Sequence, residues 1–105
     1  MKKIAISIGD LNGIGLEIAL RAHDEVKKLC QPIYCINENM LGWGAALLGL
    51  DVPLDFEIRD CGKVFEIEAG VCSAEAGESS YDSFITAVAL AKSNEVSGIV
   101  TLPIN

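Results

Sequence analysis

The sequence predicts an α/β fold: a mostly parallel sheet with flanking helices, in the order β-α-β-α-β-α-β. Three observations carry that prediction. Short β-branched apolar runs alternate with amphipathic stretches of helical length. The first apolar run enters a glycine-rich loop, and a helix follows at once. Helices of this length between strands imply right-handed crossovers and a parallel, doubly wound sheet.

The elements follow in order. Lys3 to Gly9 reads as a buried strand. The first helix is expected over Ile14–Leu29, with Ile14, Ile18, Ala22, Val26 and Leu29 on one face, widened by Leu16 and Leu20. Glu17, Arg21, Asp24 and Lys28 form the opposite face, and Glu17–Arg21 and Asp24–Lys28 have ion-pair spacing. His23 lies at the border of that polar face and is expected at the surface. Pro32 to Ile36 is the next strand. Asn37 is placed to cap a second helix that stops at Gly49, with Leu41, Ala45 and Leu48 inward. Met40 and Trp43 read as packing or interface groups. A third extended run follows Pro53, Leu54 to Ile58. Residues 60–72 suggest extended pieces, a small hairpin or an edge excursion. Ser79 and Asp82 have capping-box spacing, which predicts a third helix over Ser80–Ser93 with an apolar stripe at Tyr81, Phe84, Ile85, Val88 and Ala91. Ile99 to Leu102, apolar throughout, is expected as an interior strand.

Composition narrows the function classes. The 105 residues allow one domain. Net charge is −7 with scattered basic residues, so the electrostatic footprint of a nucleic-acid or membrane-surface binder is missing. No apolar run approaches the roughly 20 residues of a membrane span. The start, Met1-Lys2-Lys3 before Ile4, is too short and too soon interrupted by Asp10 to read as a signal, so the expected compartment is the cytoplasm. Cys30, Cys35, Cys61 and Cys72 lack CxxC spacing and His23 is the lone histidine. Reduced, mostly buried thiols are expected, rather than a zinc site or a disulfide framework.

The chemistry-bearing residues gather where the strands end. Gly9-x-x-x-Gly13-x-Gly15 is neither G-x-G-x-x-G nor a Walker A loop, and no lysine follows to reach a phosphate. One reading is a tight βα turn with Asp10 or Asn12 capping the helix. The other places Asp10 and backbone amides at a helix N-terminus that favours an anion. Ser73 to Gly77 reads as a turn and cap, or as a loop shaping a cleft. Glu75 and Glu78 are expected in solvent. The end, Thr101-Leu102-Pro103-Ile104-Asn105, offers a hydroxyl and an amide at the same sheet edge as the glycine loop and the segment near Asn37.

Taken together these residues carry a resemblance. Gly9-Asp10-x-x-Gly13-Ile14-Gly15-x-Glu17 resembles the opening of the 4-hydroxythreonine-4-phosphate dehydrogenase family, and is similar to the start of isocitrate and isopropylmalate dehydrogenases. Gly70 to Gly77, with Ser83-Phe84 and Ala87 to Lys92, is similar to that family's Ser-Ala-Glu-Ser-Gly segment and its following helix. Thr101 to Asn105 resembles its Thr-Ala-Pro-Ile-Asn. The sequence departs at Leu11-Asn12, where the family often has Pro-Ala.

The resemblance implies that residues 1–105 are the N-terminal portion of a larger two-domain dehydrogenase. Such an enzyme uses NAD or NADP and a divalent metal to oxidise and decarboxylate 4-phosphooxy-L-threonine in vitamin B6 synthesis, as a homodimer. Asp10, Asn12, Gly13, Gly15, Thr101 and Asn105 are the implied cofactor or substrate contacts. No proton-transfer residue and no metal ligand is assigned, because the family's histidines align beyond Asn105, and the chain alone is expected to be inactive. Two other readings compete. One is a complete small α/β binding module without catalysis. The other is an interaction domain with an apolar patch of Leu16, Leu20, Met40 and Trp43.

Overall fold

Every strand pairing among the described residues is parallel. The computed structural model describes residues 1–103. The elements are β1 (Lys3–Ser7), α1 (Gly15–Val26), β2 (Gln31–Cys35), α2 (Glu38–Leu48), β3 (Ile58–Arg59), α3 (Ala74–Lys92) and β4 (Gly98–Thr101). The sheet order is β3-β2-β1-β4. Ser7 stands in register with Cys35 on one side and Thr101 on the other. The predicted α/β architecture and alternation of elements are therefore present.

Alternating strand side chains split the core in two. On one face Ile6, Ile8, Tyr34 and Ile36 pack under α1 and α2 with Leu16, Leu20, Met40 and Leu41. On the other, Ala5, Ile33 and Cys35 pack under α3 with Ala87, Leu90 and Val96. Each large apolar side chain so buried contributes about 1.5–3 kcal/mol.

α1 is shorter than expected and turned about its axis. Its buried residues are Leu16, Ala19, Leu20 and His23, while Ile14 is 59% and Leu29 83% exposed. His23, expected at the surface, is buried: its Nδ1 lies 2.7 Å from the Tyr34 hydroxyl and its Nε2 2.9 Å from Asp55 Oδ1. A ring with both nitrogens satisfied loses little on leaving water, and it packs beside Phe56, which stacks on Tyr34 at 3.8 Å. Burial pushes the Tyr34 phenol above its ordinary pKa. Of the two expected ion pairs, Glu17–Arg21 forms at 2.8 Å. Asp24 instead meets Lys27, and Lys28 meets Glu25.

α2 keeps its predicted caps: Asn37 Oδ1 receives the Met40 N–H, and Gly49 ends the helix with φ 68°. Leu48, expected inward, is exposed, as is Trp43. Leu16, Leu20 and Met40 are buried, so the apolar patch expected with Trp43 does not form. The extended run expected at Leu54–Ile58 begins as a turn at Leu54 and Asp55, closed by Phe56 N–H to the Pro53 carbonyl; β3 holds only Ile58 and Arg59.

α3 departs furthest. It starts six residues before the predicted Ser80, capped by Ser73, whose hydroxyl receives the Ala76 N–H at 3.1 Å. Its buried seam is Ala76, Ser80, Ser83, Ala87 and Leu90; Tyr81, Phe84 and Ile85 face outward. Small residues let the helix lie close on the sheet, and close packing outweighs the larger side chains of the competing stripe. β4 pairs only with β1 and forms an edge among the described residues, with Ile99 and Val100 partly exposed, rather than the interior strand expected.

Candidate functional site

The connections out of β1 and into β4 run in opposite directions across the sheet, so the carboxyl ends of these two strands flank a topological switch point. That is where ligands sit in open α/β sheets. Two glycines bring the chain there. Gly9 has φ 80°, and a Cβ on it would fall on the Pro103 carbonyl. A Cβ on Gly15 would strike the Ile8 carbonyl, so only glycine lets α1 start this close to the strand it follows. The Leu102 N–H donates to the Ser7 carbonyl at 2.9 Å and the Asp10 N–H to the Pro103 carbonyl at 3.3 Å. Loop and strand end are thus one assembly.

Asp10 is 5% exposed. Its Oδ1 receives the Asn12 N–H at 2.8 Å, and its carbonyl the Gly13 N–H at 2.9 Å. The carboxylate therefore shapes the turn before α1. No side chain caps α1, whose N-cap is Ile14, and Gly13 is exposed at that helix start.

Asn12 is turned inward. Its Nδ2 donates to the Val71 carbonyl at 2.9 Å and to Ser73 Oγ at 3.4 Å, and its Oδ1 receives the Glu68 N–H at 2.8 Å. Thr101, at the end of β4, is exposed. The structure thus brings Asp10, Asn12, Gly13, Gly15 and Thr101 to one sheet edge; Asn105 lies outside the described residues. A cleft of about 320 Å³ opens beside the loop between α1, α2 and residues 67–69.

Sequence reasoning named Ser83 only within the resemblance and gave it no role. Its buried hydroxyl receives the Ile8 N–H at 3.0 Å and donates to the Cys35 carbonyl, joining the ends of β1 and β2. The signal was present in the small-residue spacing of Ala76, Ser80, Ser83 and Ala87. At the same edge, among the described residues, the buried hydroxyls of Ser7 and Ser80 have no hydrogen-bond partner.

All four cysteines are free: Cys35 is buried, Cys30 and Cys61 are half-buried, and Cys72 is exposed. Burial pushes the Cys35 thiol up to about 12 and raises Cys61 as well, so neither is a thiolate nucleophile near neutral pH. Glu75 and Glu78 are exposed, and Glu78 lies 3.7 Å from Lys63. Among the described residues no group of three His, Cys, Asp or Glu side chains is placed to hold a metal ion, and no helix is long and apolar enough to cross a membrane.

No family model matches the chain. Curated relatives do, among them the following two. The 4-hydroxythreonine-4-phosphate dehydrogenase of Sulfurimonas denitrificans is 48% identical over 103 residues, covering 98% of this chain and 34% of the relative. That of Campylobacter fetus is 47% identical over 105 residues, covering 100% and 34%. The crystal structure of a 4-hydroxythreonine-4-phosphate dehydrogenase from Burkholderia phymatum superposes with a TM-score of 0.86 at 25% identity, covering 100% of this chain and 37% of that one. The chain spans about a third of the length of the relatives it matches.

Proposed function

The chain belongs to the 4-hydroxythreonine-4-phosphate dehydrogenase family, as a counterpart of its N-terminal third, and from that premise we propose that residues 1–105 form the N-terminal part of a two-domain oxidative decarboxylase. In this reading the whole protein takes 4-phosphooxy-L-threonine, a small phosphorylated amino acid, in vitamin B6 synthesis. It works in the cytoplasm as a homodimer, with NAD or NADP and a divalent metal.

The observation that supports the reading best is the whole-chain match at 48% identity. All three motifs quoted for the resemblance also come to the same sheet edge: the glycine loop, the Ser73 cap and the β4 end.

The residues present suit a nicotinamide dinucleotide in part. Gly9 and Gly15 leave no side chain between the turn and its neighbours, Gly13 is open at an uncapped helix start, and the buried Ser7 and Ser80 hydroxyls lack partners. Bound there, the cofactor would accept hydride from the substrate carbon bearing the hydroxyl. Asp10 holds the turn, Gly13 gives the ligand access to backbone, Gly15 lets the helix start close to β1, and Thr101, with Asn105 beyond the described residues, supplies polar contacts. Asn12 acts through the segment it holds, since its amide is already engaged. The described residues do not fit a divalent metal, whose ligands in this reading lie outside this chain. The isolated chain is accordingly expected to be inactive.

The test is an assay of the protein encoded by the complete reading frame for NAD(P)H formation from 4-phosphooxy-L-threonine, with and without a chelator. Chelator-sensitive turnover supports the reading. A folded protein without turnover under either cofactor would overturn it.

A further inference from the structure

Residues 60–73 run as an irregular strap between the strand-end loops, in keeping with the edge excursion the sequence suggested and not with its other alternative, a small hairpin. Two asparagines from the two strand-end loops fasten it. Asn37 Nδ2 donates to the Gly62 carbonyl at 3.2 Å, while its Oδ1 caps α2. Asn12 holds the far end. Besides its side-chain bonds to Glu68, Val71 and Ser73, its carbonyl receives the Gly70 N–H at 2.7 Å.

The two ends differ in what else secures them. Near Asn37 the Phe65 N–H reaches Met40 Sδ, and the Glu38 N–H reaches Asp60 Oδ1. Residues 68–72 are exposed. Among the described residues, and beyond the local turn from the Val71 N–H to the Glu68 carbonyl, the hydrogen bonds of this stretch go to Asn12. Ala69 of this stretch and Ile67 just before it line the 320 Å³ cleft together with Gly13, Leu16, Gly44 and Leu47, and Ile67 also packs against the core.

We propose that Asn12 is a positioning residue that couples the glycine loop to this stretch. Three contacts run from one buried amide to three points on the strap, so a shift of the Asp10–Gly13 turn moves Glu68 and Val71 with it. Cleft width is then set by the loop a ligand would touch. This rests on the reading that the loop lines a cofactor or substrate cleft.

Amide hydrogen exchange on the protein encoded by the complete reading frame, without ligand, tests the coupling. In Asn12→Ala the Glu68 amide should exchange at least about tenfold faster, with β1 and β2 amides unchanged. Asn12→Asp retains the oxygen that receives the Glu68 N–H, so Glu68 should stay slow there. Equal Glu68 protection in Asn12→Ala overturns the proposal. So does a rise spread evenly over β1 and β2, which would mark Asn12 as a general stability residue. A failed dehydrogenase reading shows separately, in the turnover assay above.

Discussion

Ser83 receives the Ile8 N–H at 3.0 Å across 75 residues of sequence, and the same hydroxyl donates to the Cys35 carbonyl. The β1 and β2 ends are therefore fixed from above by one side chain of α3. Ile8 is the last residue before the Gly9 turn, so Ser83 also sets where the glycine loop begins. Ser83→Ala leaves a buried N–H and a buried carbonyl without this partner. A loss of about 1–3 kcal/mol is expected, read as a lower urea midpoint at constant m-value. An unchanged midpoint would show that the two groups find other partners.

His23 and Asp55 predict an acid response. The hydrogen bond from His23, then that from Lys27, holds the Asp55 carboxyl below its ordinary value of 3.8. A depressed folded pKa contributes stability that is present above the unfolded value and lost as pH falls through the folded one. Asp55→Asn should therefore lower the unfolding midpoint at neutral pH, and the gap from the parent chain should close as pH drops below about 4. The effect is small, because Asp55 is largely in solvent. A gap that widens on acidification would reverse the sign and refute the assignment.

Gly15 is fixed by the Ile8 carbonyl that a Cβ would strike. Gly15→Ala forces α1 away from β1 or distorts the turn, and overpacking of this kind costs about 1–3 kcal/mol. Thermal unfolding reads it directly; a melting temperature equal to that of the parent would mean the helix start has room to move.

The parallel α/β order was legible because β1, β2 and α2 have local signals: β-branched runs, the Asn37 cap and Gly49. The glycine loop was legible for the same reason. What was not legible depends on distance. His23 looks polar on a helical wheel, and only its partners Tyr34 and Asp55, 11 and 32 residues away, make burial favourable. Asn12 reads as a cap, yet its partners lie at 68–73. In α3 the large apolar stripe was the louder pattern, and the small seam decided the packing because a helix seated on a sheet needs close approach.

That contrast in α3 has a consequence for mutation. Tyr81→Ser, which the sequence pattern alone would count as a core loss of about 3–5 kcal/mol, should change stability by about 0.5 kcal/mol or less, since Tyr81 is 64% exposed. Ala87→Leu, fully buried against the sheet, should cost about 1–3 kcal/mol by overpacking. Urea unfolding of both variants decides between the two faces, and the reverse order of effects would put the large stripe inside.

Asp10 offers the sharpest separation of folding from function. Its Oδ1 accepts the Asn12 N–H and its carbonyl the Gly13 N–H, so Asp10→Ala would disturb the turn as well as the charge. Asp10→Asn keeps a side-chain oxygen for Asn12 and removes only the negative charge. If the charge serves a ligand at the switch point, the whole protein carrying Asp10→Asn should lose at least about tenfold in dehydrogenase turnover, equivalent to about 1.4 kcal/mol in the barrier, while its melting temperature holds. If turnover is unchanged, Asp10 acts as the architect of the turn alone, and the cleft's polar contacts must come from the β4 side and from residues beyond this chain.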